Sequence, residues 1–251
     1  MLKKRIIPIQ LLYLDRLVKT VRFANPRDVG DPVKSSQVYS DQDADELLLL
    51  NIKNEQGFNI NFPNIVKTIA NNCFVPLTVG GGIRNIKQAA SLIESGADKI
   101  ILNTITFSQT KIINNLVKHY GSQAVVVCID VKTIDGKHTI FSENGQSFEK
   151  VTISDHIKKV YDAGAGEILL QSIDLDGTMS GYDLNLLDIV APESNIPLII
   201  AGGAGDFEHL KMAFLRGADA AACGSLFNFG DNNPLRAKAF LKNYDIPLKL
   251  I

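Results

Sequence analysis

The stretch VPLTVGGGIRNIKQAASLIESGAD, residues 75–98, returns as IPLIIAGGAGDFEHLKMAFLRGAD at residues 196–219. Each copy is a short apolar run, a glycine turn, an amphipathic stretch and a closing Gly-Ala-Asp. That order reads as strand, tight turn, helix and glycine-terminated helix end. ADELLLLNI from Ala44 matches AGEILLQSI from Ala165 at the same offset, and IIPIQLL from Ile6 can be laid on VVCIDVK from Val126 at nearly that offset. The period is half the chain, too long for a solenoid, and points to two half-barrels, roughly residues 1–122 and 123–251. No Pro/Ser-rich linker separates them, so 1–251 reads as one domain.

Eight apolar runs carry the pattern along the chain: residues 5–10, 47–52, 75–79, 99–103, 124–130, 167–172, 196–201 and 218–224. Helix-like windows at 61–72, 86–95, 111–119 and 207–216 lie between them. Strands alternating with helices imply a parallel sheet with right-handed crossovers. Eight units in 251 residues imply an α/β fold, a (β/α)8 TIM barrel with a two-fold repeat. The runs lack strict alternation, as strands buried on both faces should.

Composition narrows the function. Lys+Arg total 26 against Asp+Glu 27, which gives no general attraction to nucleic acid. No apolar run approaches membrane-spanning length, so no membrane association is expected. The start, MLKKRIIPIQLLYL, reads as a first strand because no small-residue cleavage site follows it. Cys73, Cys128 and Cys223 are odd in number and sit in or beside apolar runs, as reduced cytoplasmic thiols do. The four histidines, His119, His138, His156 and His209, lack metal-ligand spacing, and no cofactor motif appears.

In such a barrel the active site lies at the C-terminal strand ends. Two of these ends form matched pairs: Gly81-Gly82 with Asn103-Thr104, and Gly202-Gly203 with Gly224-Ser225. Glycine admits close approach of backbone N–H groups to phosphate, so the pairs predict two phosphate sites across the mouth. Asp130 ends the apolar strand VVVCID and is a candidate site carboxylate, with Lys132 as the structural alternative partner. Asp174 reads as a solvated turn, while Asp176-Gly177-Thr178 can contact substrate. The half-barrel symmetry sets Leu11 opposite Asp130, and leucine transfers no proton. At the opposite strand ends Arg5, Glu46, Lys99 and Glu167 each precede an apolar run; pointing inward, they would form a charged ring at the barrel floor.

On these residues the chain resembles the HisF family, the cyclase subunit of imidazole glycerol phosphate synthase, over essentially its whole length. The segments carrying the likeness include KRIIP, DVGDP, ADEL, PLTVGGGI, GADK, GAGEILL, SGYD, AGGAG and GADAA. The resemblance implies a barrel that docks a HisH-like glutaminase at its floor and conducts ammonia to a phosphorylated ribulosyl substrate. It implies that Gly82, Asn103 and Thr104 bind one phosphate, and that Asp176, Gly177, Gly203, Gly224 and Ser225 serve the other. Asp130 matches a catalytic aspartate, and Lys19 a closing lysine in a basic mobile loop with Arg16, Arg22 and Arg27. Arg5, Glu46, Lys99 and Glu167 match the ammonia gate, and Asp98 the glutaminase contact. The departures sit at the chemistry: Leu11 stands where the family's other catalytic aspartate would be, and Asn51 replaces the aspartate ending strand two. A paralogous branch is a closer likeness, through residues 6–12, 17–26, 29–32 and 141–145. It implies ammonia supply to a separate sugar amidotransferase that makes acetamidino sugars for surface polysaccharide. A working histidine-synthesis cyclase and a non-catalytic activator of the glutaminase are the alternatives.

Overall fold

The computed structural model describes residues 3–52 and 58–249. It has twelve strands: β1 (Arg5–Tyr13), β2 (Arg16–Val21), β3 (Ala24–Gly30), β4 (Leu47–Asn51), β5 (Leu77–Gly80), β6 (Lys99–Leu102), β7 (Val125–Ile134), β8 (Lys137–Ser142), β9 (Ser147–Phe148), β10 (Glu167–Ser172), β11 (Leu198–Ala201) and β12 (Ala220–Cys223). Eight of them pair in parallel in the order β1-β4-β5-β6-β7-β10-β11-β12 and close through β12 on β1, a (β/α)8 barrel with helices outside. The expected runs fall on these eight strands with shifts of a few residues. The largest shifts are at β1 and β7, which run on past the barrel rim into antiparallel hairpins.

The repeat has a physical basis in its turns. Gly96 and Gly217 end their helices at φ +106° and +102°, which glycine adopts without steric cost. The aspartates that follow hold the start of the preceding strand: Asp98 Oδ2 accepts from Leu77 N at 2.8 Å, and Asp219 Oδ2 from Leu198 N at 3.1 Å. Asp45 does the same for Ile6 N at 2.8 Å. At the other end of the repeat Asn85 and Asp206 both cap the helix that follows the glycine turn. His209 completes the second cap as its N3 partner, a structural use for that histidine.

Strand parity then sorts the side chains. Odd positions of β1 (Arg5, Ile7, Ile9, Leu11) face the barrel interior with Leu48, Val126 and Leu169. Even positions pack against the helices. Gln10 is one of these: it is buried outside the barrel, and its Oε1 accepts from Ser36 Oγ at 2.8 Å. The two half-barrels therefore superpose β1 on β7 with Leu11, rather than Gln10, on Asp130. A one-residue change of offset reverses every face. Small residues on one side of the interior, Ala201, Ala220 and Ala222, leave room for large ones from neighbouring strands. Cys73, Cys128 and Cys223 are buried free thiols. Among the described residues no helix is long and apolar enough to cross a membrane.

Candidate functional site

The four floor charges form a closed ring. Arg5 Nη1 donates to Glu46 at 2.7 Å, Lys99 Nζ to Glu46 at 2.9 Å and to Glu167 at 3.0 Å, and Arg5 Nη2 completes the circuit on Glu167. Thr78 Oγ1 adds a hydrogen bond to Glu46 at 2.5 Å. Inward parity at the first residue of β1, β6 and β10, and just before β4, brings them together. Burial tends to lower the Arg5 pKa, but hydrogen bonds and charge from Glu167 and Glu46 outweigh it and raise the value. Asp98, beside Lys99, is exposed on the same end while its carboxylate holds Leu77 N.

At the mouth, the five residues expected at the second phosphate gather with Lys19. Lys19, Asp176, Gly177, Gly203, Gly224 and Ser225 line one cavity of about 30 Å³ together with Leu11 and Gln171. Gly177, Gly202 and Gly203 are required by backbone approach. A Cβ on Gly203, at φ +113°, would lie 1.9 Å from Gly181 O, and one on Gly177 would lie 2.1 Å from Thr20 O. The other set is arranged differently. Asn103 Nδ2 donates to Asp130 Oδ2 at 2.8 Å, and Thr104 Oγ1 accepts from Glu143 N at 3.1 Å. Asn103 Nδ2 and Thr104 Oγ1 are thus engaged within the protein, and Gly82 takes a positive φ of +72°.

Lys19 corrects an expectation. It lies in a strand rather than a loop, in a β2–β3 hairpin folded over the mouth. All of Leu17–Thr20 is buried, and Lys19 Nζ donates to Ile9 O at 2.9 Å. Arg16 pairs with Asp28 on the outer side, and Arg22 donates to Asp174 O. Thr20 Oγ1 and Phe23 N both donate to Asp176, at 2.8 and 3.4 Å, which fastens the hairpin to the loop after β10. Asp174 is likewise more than a solvated turn: it accepts from Thr133 N at 2.7 Å. Lys132 lies over the Phe141 ring and forms no ion pair with Asp130 among the described residues.

Comparison with known proteins adds the decisive observation. A family model described as "Histidine biosynthesis protein" matches residues 5–233. "Imidazole glycerol phosphate synthase subunit HisF" of Thermotoga sp. (strain RQ2) is 40% identical over 250 residues, covering 100% of this chain and 99% of that protein. The protein of the same name from Alkaliphilus metalliredigens is 39% identical over 251 residues, covering 99% and 100%. That from Wolinella succinogenes is 38% identical over 251 residues, covering 99% of each. The chain belongs to the HisF family.

Within this HisF-type mouth the electrostatics are set by burial. Burial pushes the Asp130 carboxyl up to about 6 against hydrogen bonds from Cys128 and Asn103, and Asp176 adds like-charge repulsion. Asp176 is also raised by burial. Lys19 is lowered to about 8 by burial, with Asp176 opposing the shift. A raised carboxyl means that the folded chain binds the proton more tightly than the unfolded chain, so the cost of Asp130 is absent below pH ~4, grows between ~4 and about 6, and is complete above that. An Asp130→Asn chain is therefore expected to be ~3 kcal/mol more stable than the natural one at pH 8, and equal to it near pH 4. Urea denaturation at both pH values checks this; equal stability at pH 8 would refute it.

Sequence reasoning missed Gln171 and Thr20. Gln171 left one signal, a polar residue inside EILLQS, a strand buried on both faces. Thr20 left none, since its role depends on where the hairpin lands.

Proposed function

We propose that this chain is the barrel subunit of a glutamine-dependent complex, conducting ammonia from a HisH-like glutaminase docked at the floor around Asp98. Ammonia would pass the ring of Arg5, Glu46, Lys99 and Glu167 and rise through the interior. A phosphorylated ligand would sit at the mouth on Lys19, Asp176, Gly177, Gly203, Gly224 and Ser225, with Gly82, Asn103 and Thr104 opposite. The observation that carries the reading is a complete floor ring beneath a mouth in which Leu11, not a carboxylate, faces the interior with Asp130. Passage of ammonia needs the ring, whereas acid–base cyclisation needs a second proton-transfer group. The segments shared with the paralogous branch favour a separate sugar amidotransferase as recipient, making an acetamidino sugar for surface polysaccharide.

A second reading, the histidine-synthesis cyclase, is favoured by the names of the relatives and by Asp130, whose pKa near 6 suits a general base at neutral pH. One assay separates the two. Purified chain is supplied with the ribulosyl substrate and excess ammonium salt, and imidazole glycerol phosphate is followed. The ammonia-supply reading expects turnover ~10²–10⁴-fold below a cyclase with both carboxylates. Turnover equal to such a cyclase would overturn it.

A further inference from the structure

Asp130 brings an ionisable group, 6% exposed, into an apolar strand. A carboxylate in such a place needs donors on its oxygens. Two neighbours supply them, one to each oxygen. Asn103 Nδ2 donates to Oδ2 at 2.8 Å, and the Cys128 thiol donates to Oδ1 at 3.3 Å. Cys128 stands two residues before Asp130 on β7, so strand alternation sets both side chains on one face. It belongs to the interior apolar layer with Ile101 and Leu169 and is 5% exposed. A cysteine in such a layer commonly serves as a small apolar filler. Here its sulfur reaches a carboxylate instead. Burial pushes the thiol well above its ordinary range, and the charge of Asp130 adds to the shift against an opposing hydrogen bond from Asn103. Cys128 is therefore a protonated donor at neutral pH.

We propose that Cys128 is the positioning residue of Asp130: its thiol holds Oδ1 while Asn103 holds Oδ2, which fixes the carboxylate plane and favours its charged form. With one oxygen held from its own strand and the other from the end of β6, the side chain cannot turn without breaking a bond. The thiol is a weak donor, but a bond to a buried charge is stronger than the same bond in water. No cation offsets the burial. Lys132, two residues on, lies over the Phe141 ring, and Lys19 is held on Ile9 O. Asp176, from the loop after β10, opposes ionisation by like charge. Against burial and Asp176 stand the hydrogen bonds from Cys128 and Asn103. The positioning holds under either reading of the function. Its effect on turnover rests on the cyclase reading, in which Asp130 is a general base.

The test follows Asp130 by NMR, in the full chain carrying aspartate labelled at the side-chain carboxyl carbon. The resonance missing from Asp130→Asn assigns the signal. The natural chain is expected to titrate with a midpoint of about 6. Cys128→Ala and Cys128→Val both remove the donor, one emptying its space and the other filling it. Each should raise the midpoint by roughly one pH unit, a tenfold change in proton affinity. Cys128→Ser keeps a donor and should titrate with the natural chain or below it, which a purely packing role would not produce. A midpoint unmoved in both the Ala and Val variants, or a Ser variant that titrates with them, overturns the proposal. Cyclase turnover with saturating ammonium, compared among variants at each pH, should lose its acid limb at the same shifted midpoints. Shifted NMR midpoints in a chain without cyclase turnover would support the positioning and count against the cyclase reading alone.

Discussion

A Leu11→Asp variant is expected to form imidazole glycerol phosphate from the ribulosyl substrate and free ammonia ~10²–10⁴ times faster than the natural chain. The position is ready for a carboxylate. Leu11 lies in β1 opposite Val18 of the hairpin and beside Leu50 of β4, half-buried on the wall of the mouth cavity. Its parity carries the side chain to the interior face that Asp130 occupies on β7. Lys19 lines the same cavity, so a new carboxylate there would be ionised by a nearby ammonium and held apart in pKa from Asp130, which burial raises to about 6. Two carboxyls with separated pKa values are what paired acid–base transfer needs. Steady-state turnover at pH 7–8 with saturating ammonium is the measurement. An active natural chain that the aspartate does not improve would mean that Leu11 is no lesion, and the ammonia-supply reading would fall.

The second large effect is on the floor. Glu46→Ala is expected to destabilise the fold by ~3–5 kcal/mol, because one substitution strips a buried carboxylate from Arg5, Lys99 and Thr78 together. Glu46 is 2% exposed, and without it Glu167 is left to balance both cations. For a chain of this size that is a fall in Tm of roughly 10 °C. Asp188→Ala is the control. Its pair with Arg216 is more than 40% exposed on both sides, and less than ~1 kcal/mol should be lost. In the proposed complex the same Glu46 variant, assayed below its Tm, should lower glutamine-dependent transfer while leaving binding of a phosphorylated ligand at the mouth unchanged. A stability loss no larger than that of the surface control would show that the ring is not a buried network.

The sequence alone determined the barrel, because the half-chain repeat is a repeat of local physics. Apolar runs, glycine turns, capping residues such as Asn85 and Asp206, and the Gly-Ala-Asp closures all act within a few residues of one another. It also set four charges just before apolar runs, but left their facing open; the parity of the closed barrel turned all four inward. The tertiary structure alone decided what depends on register across strands. It turned Gln10 out to Ser36 and Leu11 in to the mouth, a choice that a one-residue offset in the internal alignment reverses. It bound Asn103 to Asp130 and laid a hairpin strand over the mouth to bury Lys19. It also set Gln171 beside Asp130 with its oxygen unpaired. Residues separated by tens of positions meet there only when the sheet closes, and a polar side chain takes its partner from that closure rather than from its neighbours in the chain.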